Sequence, residues 1–94
     1  MNRRVSYSRR AAVEVQGILV YLDEHSRPAA RRFVDALARA ERQIAEFPNS
    51  GAPGAVAGTR RLVVGNYIVS YRRRGEDVEI FAVRHARRRD ARPG

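Results

Sequence analysis

A chain of 94 residues is one domain in length, and its 44% hydrophobic content includes 14 alanines, so it builds a thin core that a partner is expected to complete. The absence of cysteine excludes disulfides and thiolate metal sites, and two histidines, His25 and His85, are too few for an ordinary zinc centre. All 19 basic residues are arginine, set against 10 acids, and the resulting charge of +9 excludes lysine chemistry and implies an anionic partner, either nucleic acid or an acidic protein segment.

In chain order, Arg3-Arg4-Val5-Ser6-Tyr7 alternates and predicts a short first strand. Ser8 suits a helix N-cap, and Ala11, Val15, Ile18 and Leu22 follow at the spacing of one helical face. Gly17 in the middle costs about 1 kcal/mol against alanine, which predicts a packing reason: close approach of a second helix. Arg9 and Arg10 in the first turn and Asp23 and Glu24 in the last oppose the helix macrodipole, as Arg31 and Arg32 do early in the next helix. Ser26-Arg27-Pro28 starts that second helix, with Ala30, Phe33, Leu37, Ala40, Ile44 and Phe47 on one face and an Asp35–Arg39 pair on the outer side, until Pro48 stops it. The two helices form a hairpin.

Residues 49–58 carry three glycines and a proline without periodicity and read as a surface loop. Three strand-like runs follow, Arg61 to Val64, Tyr67 to Arg73 and Val78 to His85, joined at Gly65-Asn66 and at Arg74-Gly75-Glu76-Asp77. Residues 86–94 are a polar tail. The fold class is therefore α+β, in the order strand-helix-helix-strand-strand-strand, with the helix hairpin packed on one face of a small antiparallel sheet. One domain, residues 1–94, accounts for the chain. No run approaches the ~18 apolar residues of a membrane span and Met1 to Ser6 lacks a signal peptide's apolar stretch, so a soluble, cytoplasmic protein without a membrane partner is expected.

No Gly-rich phosphate loop, serine elbow or paired carboxylate motif stands in a supporting context, so neither cofactor nor metal is expected. Arginines concentrate toward the end: residues 49–94 hold ten of them against four acids. Arg60, Arg61, Arg72, Arg84, Arg87 and Arg88, together with His85, are the candidate residues for binding a target or an antagonist. If the chain is a nuclease, His85 serves as general acid/base with Arg84 and Arg60 holding phosphate; the alternative for His85 is a strand-end histidine bonded to a backbone carbonyl. Tyr67 and Tyr71 share a strand face and read as core aromatics with hydroxyls at the edge.

Pro28 to Phe33, Leu37, Phe47-Pro48-Asn49-Ser50-Gly51, Gly58 to Arg72, Val78-Glu79-Ile80 and Val83 to Arg88 together resemble the RelE/ParE toxin superfamily. The resemblance runs from Tyr7 to Arg88 and rests on the ordered set rather than on any single motif. It implies the toxin of a type II toxin–antitoxin system, held in a hetero-oligomer by a cognate acidic antitoxin. RelE-like members are ribosome-dependent mRNA endonucleases. Their pattern has an arginine four residues before the tyrosine matching Tyr67, lysines upstream, and a tyrosine after the final His-Arg-Arg. Here Val63 holds the first position, lysine is absent, and no tyrosine follows Tyr71. ParE-like members resemble the chain at Arg60, Leu62, Tyr67, Tyr71 and His85, and inhibit DNA gyrase. The ParE branch is the expectation, a gyrase-directed growth-arrest toxin that performs no chemistry itself; a ribosome-dependent mRNA endonuclease is the alternative. The apolar groove between hairpin and sheet, bordered by arginine, suits an acidic amphipathic helix or an added strand.

Overall fold

Two serines place the helices. Ser8 has extended backbone and its Oγ accepts the Ala11 N–H at 3.1 Å, opening α1 (Arg9–His25) where the spacing predicts. Ser26 does two jobs: its N–H donates to Leu22 O at 2.6 Å, closing α1, while its Oγ accepts from Ala29 N at 3.2 Å, opening α2 (Arg27–Glu46). Pro28 stands in the first turn of α2, where its missing N–H is harmless. In this computed structural model, which describes residues 3–87, the strands are β1 (Val5–Tyr7), β2 (Ala52–Pro53), β3 (Thr59–Val64), β4 (Tyr67–Arg74) and β5 (Asp77–His85).

The sheet order is β1-β5-β4-β3-β2. β3 to β5 form the expected antiparallel meander, with Gly65 and Gly75 at positive φ in its two tight turns. The sheet is mixed rather than antiparallel, because β1 joins the far edge alongside β5 in parallel, Val5 opposite Val78 and Tyr7 opposite Ile80. Pairing direction depends on which edge a three-residue strand meets, and that edge is chosen by the helices between. The predicted loop also contributes a strand: Ala52 and Pro53 pair with Arg61 and Arg60 at the outer edge, a position that tolerates proline. Between Ser70 and Tyr71 the β4–β5 register shifts, leaving Phe81 without a partner. Beyond Tyr7 the neighbouring edge of β5 is completed by α1: Ser8 N–H donates to Ile80 O at 2.9 Å and Glu14 Oε1 accepts the Val83 N–H at 2.8 Å.

The helices cover one face of the sheet. Ala11 of α1 and Phe33, Leu37, Ala40 and Ile44 of α2 are buried against Val64, Val69, Tyr71, Val78, Ile80 and Val83, with Val15, Ile18 and Leu22 packed at the margin. Phe47 departs from its predicted stripe: it caps α2 in non-helical backbone and is 58% exposed. No ion pair joins Asp35 and Arg39 among the described residues; the i, i+4 pairs present are Arg10–Glu14 and the looser Asp23–Arg27. Nor does α2 approach Gly17. A Cβ there would meet nothing within 4 Å, so the predicted packing reason is absent among the described residues.

Two buried hydrogen-bond systems hold the periphery. Tyr71 Oη donates to Pro48 O and accepts the Gly51 N–H, each at 2.9 Å, while Arg60 Nη1 donates to Gly51 O at 2.8 Å. A Cβ on Gly51 would lie 2.6 Å from Arg61 O and 2.7 Å from that tyrosine oxygen, so only glycine passes under the latch. On the other side of the core the Tyr7 hydroxyl donates to Glu41 Oε2. Burial, followed by the Glu41 acceptor and its charge, pushes the Tyr7 hydroxyl well above the ordinary tyrosine range.

Three outcomes follow. Gly17→Ala, in dilute solution, raises unfolding stability by about 1 kcal/mol, read from the denaturant midpoint. Tyr71→Phe orphans the buried Gly51 N–H and Pro48 carbonyl and costs about 1–3 kcal/mol in the same measurement. Because the folded Tyr7 pKa is raised, its contribution is complete below the ordinary value of ~10 and declines as pH climbs above it. The alkaline fall in melting temperature is accordingly shallower in Tyr7→Phe than in the parent chain.

Candidate interaction surfaces

Strand alternation sorts the arginines. Register places Arg60, Leu62, Val64, Tyr67, Val69, Tyr71, Ile80, Val83 and His85 toward the helices, and Arg61, Ile68, Ser70, Arg72, Ala82 and Arg84 on the opposite, open face. Arg84 and His85, adjacent in sequence, therefore face opposite sides of the sheet.

On the open face Arg61 and Arg84 line one depression with Thr59, Ile68, Ser70 and Phe81. Neither guanidinium makes an ion pair or hydrogen bond among the described residues, and Arg84 is half-buried. Arg72 lies beside them with its Cζ 5.5 Å from the Phe81 ring centroid, but its charge is committed to Glu79 at 3.0 Å. Arg74 shares that carboxylate at 3.5 Å. The unpaired pair, with an aromatic floor and the Ser70 hydroxyl, can accept an anionic group with a flat apolar body.

The helix-facing candidates have structural partners. Arg60 is half-buried with its guanidinium on Gly51 O. His85 is half-buried, its ring edge-on to Tyr67 at 5.2 Å between centroids, and its Nδ1 accepts the Arg87 N–H at 3.2 Å. It is a strand-end histidine bonded to backbone, but to an N–H rather than a carbonyl. Arg87 is exposed in a short helical turn after β5, where Ala86 N–H donates to Asn66 O at 2.8 Å. Arg88, like the rest of the predicted tail to residue 94, lies outside the described residues. The structure thus joins Arg61 to Arg84, with Arg72 alongside, and separates all three from Arg60 and His85.

A second surface is the groove between α2 and the β3–β4 turn. Phe33, Ala36, Val64 and Tyr67 form its apolar part, with Arg32 and Arg39, and Asp35 between them, along α2. Both arginines are exposed, and neither has an ion pair among the described residues. An arginine-bordered groove between hairpin and sheet is thus present, and the arginines that border it are two outside the predicted set. Their separation of seven residues, flanking the apolar face of α2, is the signal that identifies them.

Residues 5–90 match the family described as ParE toxin of type II toxin-antitoxin system, parDE. The Y4kP protein of Sinorhizobium fredii (strain NBRC 101917 / NGR234) is 37% identical over 86 residues, covering 89% of this chain and 88% of that protein. Among solved structures, the chromosomal ParDE toxin–antitoxin system from P. aeruginosa aligns with a TM-score of 0.74 at 20% identity, covering 88% of this chain and 95% of that one. The E. coli DinJ–YafQ toxin–antitoxin complex aligns at 0.62 with 12% identity, over 94% and 97%. These two likenesses speak for the fold, the RelE/ParE-like arrangement of two helices on a five-stranded sheet. Family match and Y4kP relative speak for descent: the chain belongs to the ParE toxin family of type II toxin–antitoxin systems.

Proposed function

We propose that this toxin is held inactive in a hetero-oligomer by a cognate acidic antitoxin, and that, once free in the cytoplasm, it arrests growth by docking on DNA gyrase or the gyrase–DNA complex. The observation carrying the docking half is the opposition of Arg84 and His85. Phosphodiester cleavage by a 2′-hydroxyl needs a base within hydrogen-bond reach of the nucleophile and cations on the phosphate at the same site. Here Arg61 and Arg84, without ion pairs among the described residues, occupy the open face, while the histidine lies on the helix-facing side with Nδ1 engaged. Docking asks only for the guanidiniums of Arg61 and Arg84, whose fork suits carboxylate or phosphate equally well.

The antitoxin half is supported by the groove at Arg32 and Arg39. Its apolar floor and paired positive margin fit an acidic amphipathic segment, and covering it supplements a thin core. An antitoxin and a gyrase surface then occupy different parts of the molecule.

Gyrase supercoiling and ribosome-dependent mRNA cleavage, measured side by side, separate this reading from the endonuclease alternative. The chain is expected to inhibit supercoiling and leave ribosome-bound mRNA intact, and the Arg61→Ala, Arg84→Ala double variant to lose inhibition while melting like the parent. Unimpaired gyrase together with codon-periodic cuts in mRNA overturns the gyrase assignment.

A further inference from the structure

The outer side of α1 is built like an interface although, among the described residues, nothing packs on Gly17 at its centre. Val13 is 66% exposed and Val20 48%, and they flank Gly17 on the side turned away from the sheet. Arg9, Ala12, Val13, Gln16 and Gly17 line one depression there. Leu19, Val20 and Asp23 of α1 line the next, together with Val34 of α2. An exposed glycine in mid-helix is a standing cost of about 1 kcal/mol against alanine, and no intramolecular contact returns it, since a Cβ would enter empty space. A glycine at such a point lets another backbone come close.

The charges on α1 say which backbone. Arg9 and Arg10 occupy its first turn and Asp23 and Glu24 its last, each opposing the helix's own dipole. Arg9 and Glu24 have no ion pair among the described residues. Gly17 is the midpoint of Arg9–His25. By helical periodicity Arg10, Gly17 and Glu24 fall within a narrow strip of one face, with Val13 and Val20 beside it. A helix basic at one end, acidic at the other and notched at its centre is complementary to itself when turned end for end.

We propose that a second copy of this chain docks on this face, α1 against α1 in antiparallel two-fold contact crossing at Gly17. In that arrangement Arg10 of one protomer, which within its own helix pairs with Glu14 at 3.3 Å, meets Glu24 of its partner twice over and bridges both carboxylates, Val13 meets Tyr21, and the two helix dipoles oppose. Charge placement that is unfavourable within the helix becomes favourable between helices. The net charge of +9 works against association, but at physiological salt the screening length is about 8 Å, so contacting pairs outweigh distant repulsion. One helix per protomer is less than a standard interface, so the dimer is weak and reversible.

Sedimentation equilibrium of the isolated chain in about 0.15 M salt, from about 1 μM to about 1 mM, reads this directly. The parent is expected to show a reversible monomer–dimer equilibrium. Gly17→Glu, whose side chain has free space in the monomer, stays monomeric throughout and melts no lower than the parent in dilute solution. Arg10→Glu and Glu24→Arg each weaken the dimer several-fold, since each broken pair occurs twice, and the two together restore it. A parent that remains monomeric at the highest concentration overturns the proposal. So does a Gly17→Glu chain that still dimerises, or a double variant as weak as the singles. If Gly17→Glu instead abolishes binding of an acidic antitoxin to a chain that never self-associates, the face belongs to the antitoxin and the proposal fails.

Discussion

Everything in this molecule follows from covering one side of a small sheet and leaving the other bare. Phe33, Leu37 and Ile44 of α2 press on Val69, Tyr71, Ile80 and Val83, and that contact commits every second residue of β4 and β5 to the interior. The intervening positions are released to solvent. Arginine at a released position is free to meet a partner; arginine at a committed one must find a partner within the chain, as Arg60 does on Gly51 O. The same count of arginines with a one-residue slip in β5 would have sent Arg84 inward and His85 outward.

Much of the fold was legible because it is written in local chemistry. Ser8, Ser26, Pro28 and Pro48 mark helix ends by hydrogen bonding and ring geometry that act within four residues. The apolar spacing from Ala30 to Ile44 is long enough to leave one solution, and Gly65 and Gly75 mark the tight turns. What was not legible depends on distant partners. The parallel placement of β1 rests on contact with β5 more than seventy residues later. β2 is two residues long and exists because Arg60 and Arg61 are there to pair with it. The stripe through Phe47 overran its helix, and Asp35 and Arg39 have the right spacing for an ion pair without forming one, a reminder that exposed pairs are nearly neutral in energy.

The candidate site was half legible for a similar reason. Composition pointed to arginine, and the sequence pooled the cations of β3, β4 and β5 into one cluster. Strand alternation divides that cluster between two faces, and Glu79 then holds both Arg72 and Arg74 on one carboxylate, while Arg61 and Arg84 have no ion pair among the described residues. Phe81 went unnoticed because its exposure to the open face comes from the register shift beside it, which no local pattern announces. The arginines of α2 were visible as charges, but their value lies in the Phe33–Tyr67 floor they border, where the rings meet edge-on at 4.9 Å.

One residue, Ser26, closes α1 with its amide and opens α2 with its hydroxyl, so the joint between the helices contains no slack. Adding or deleting a single residue there would turn α2 by about 100° about its own axis and carry Phe33 and Leu37 off the sheet. Natural variation in the length of such toxins should accordingly spare the hairpin bend.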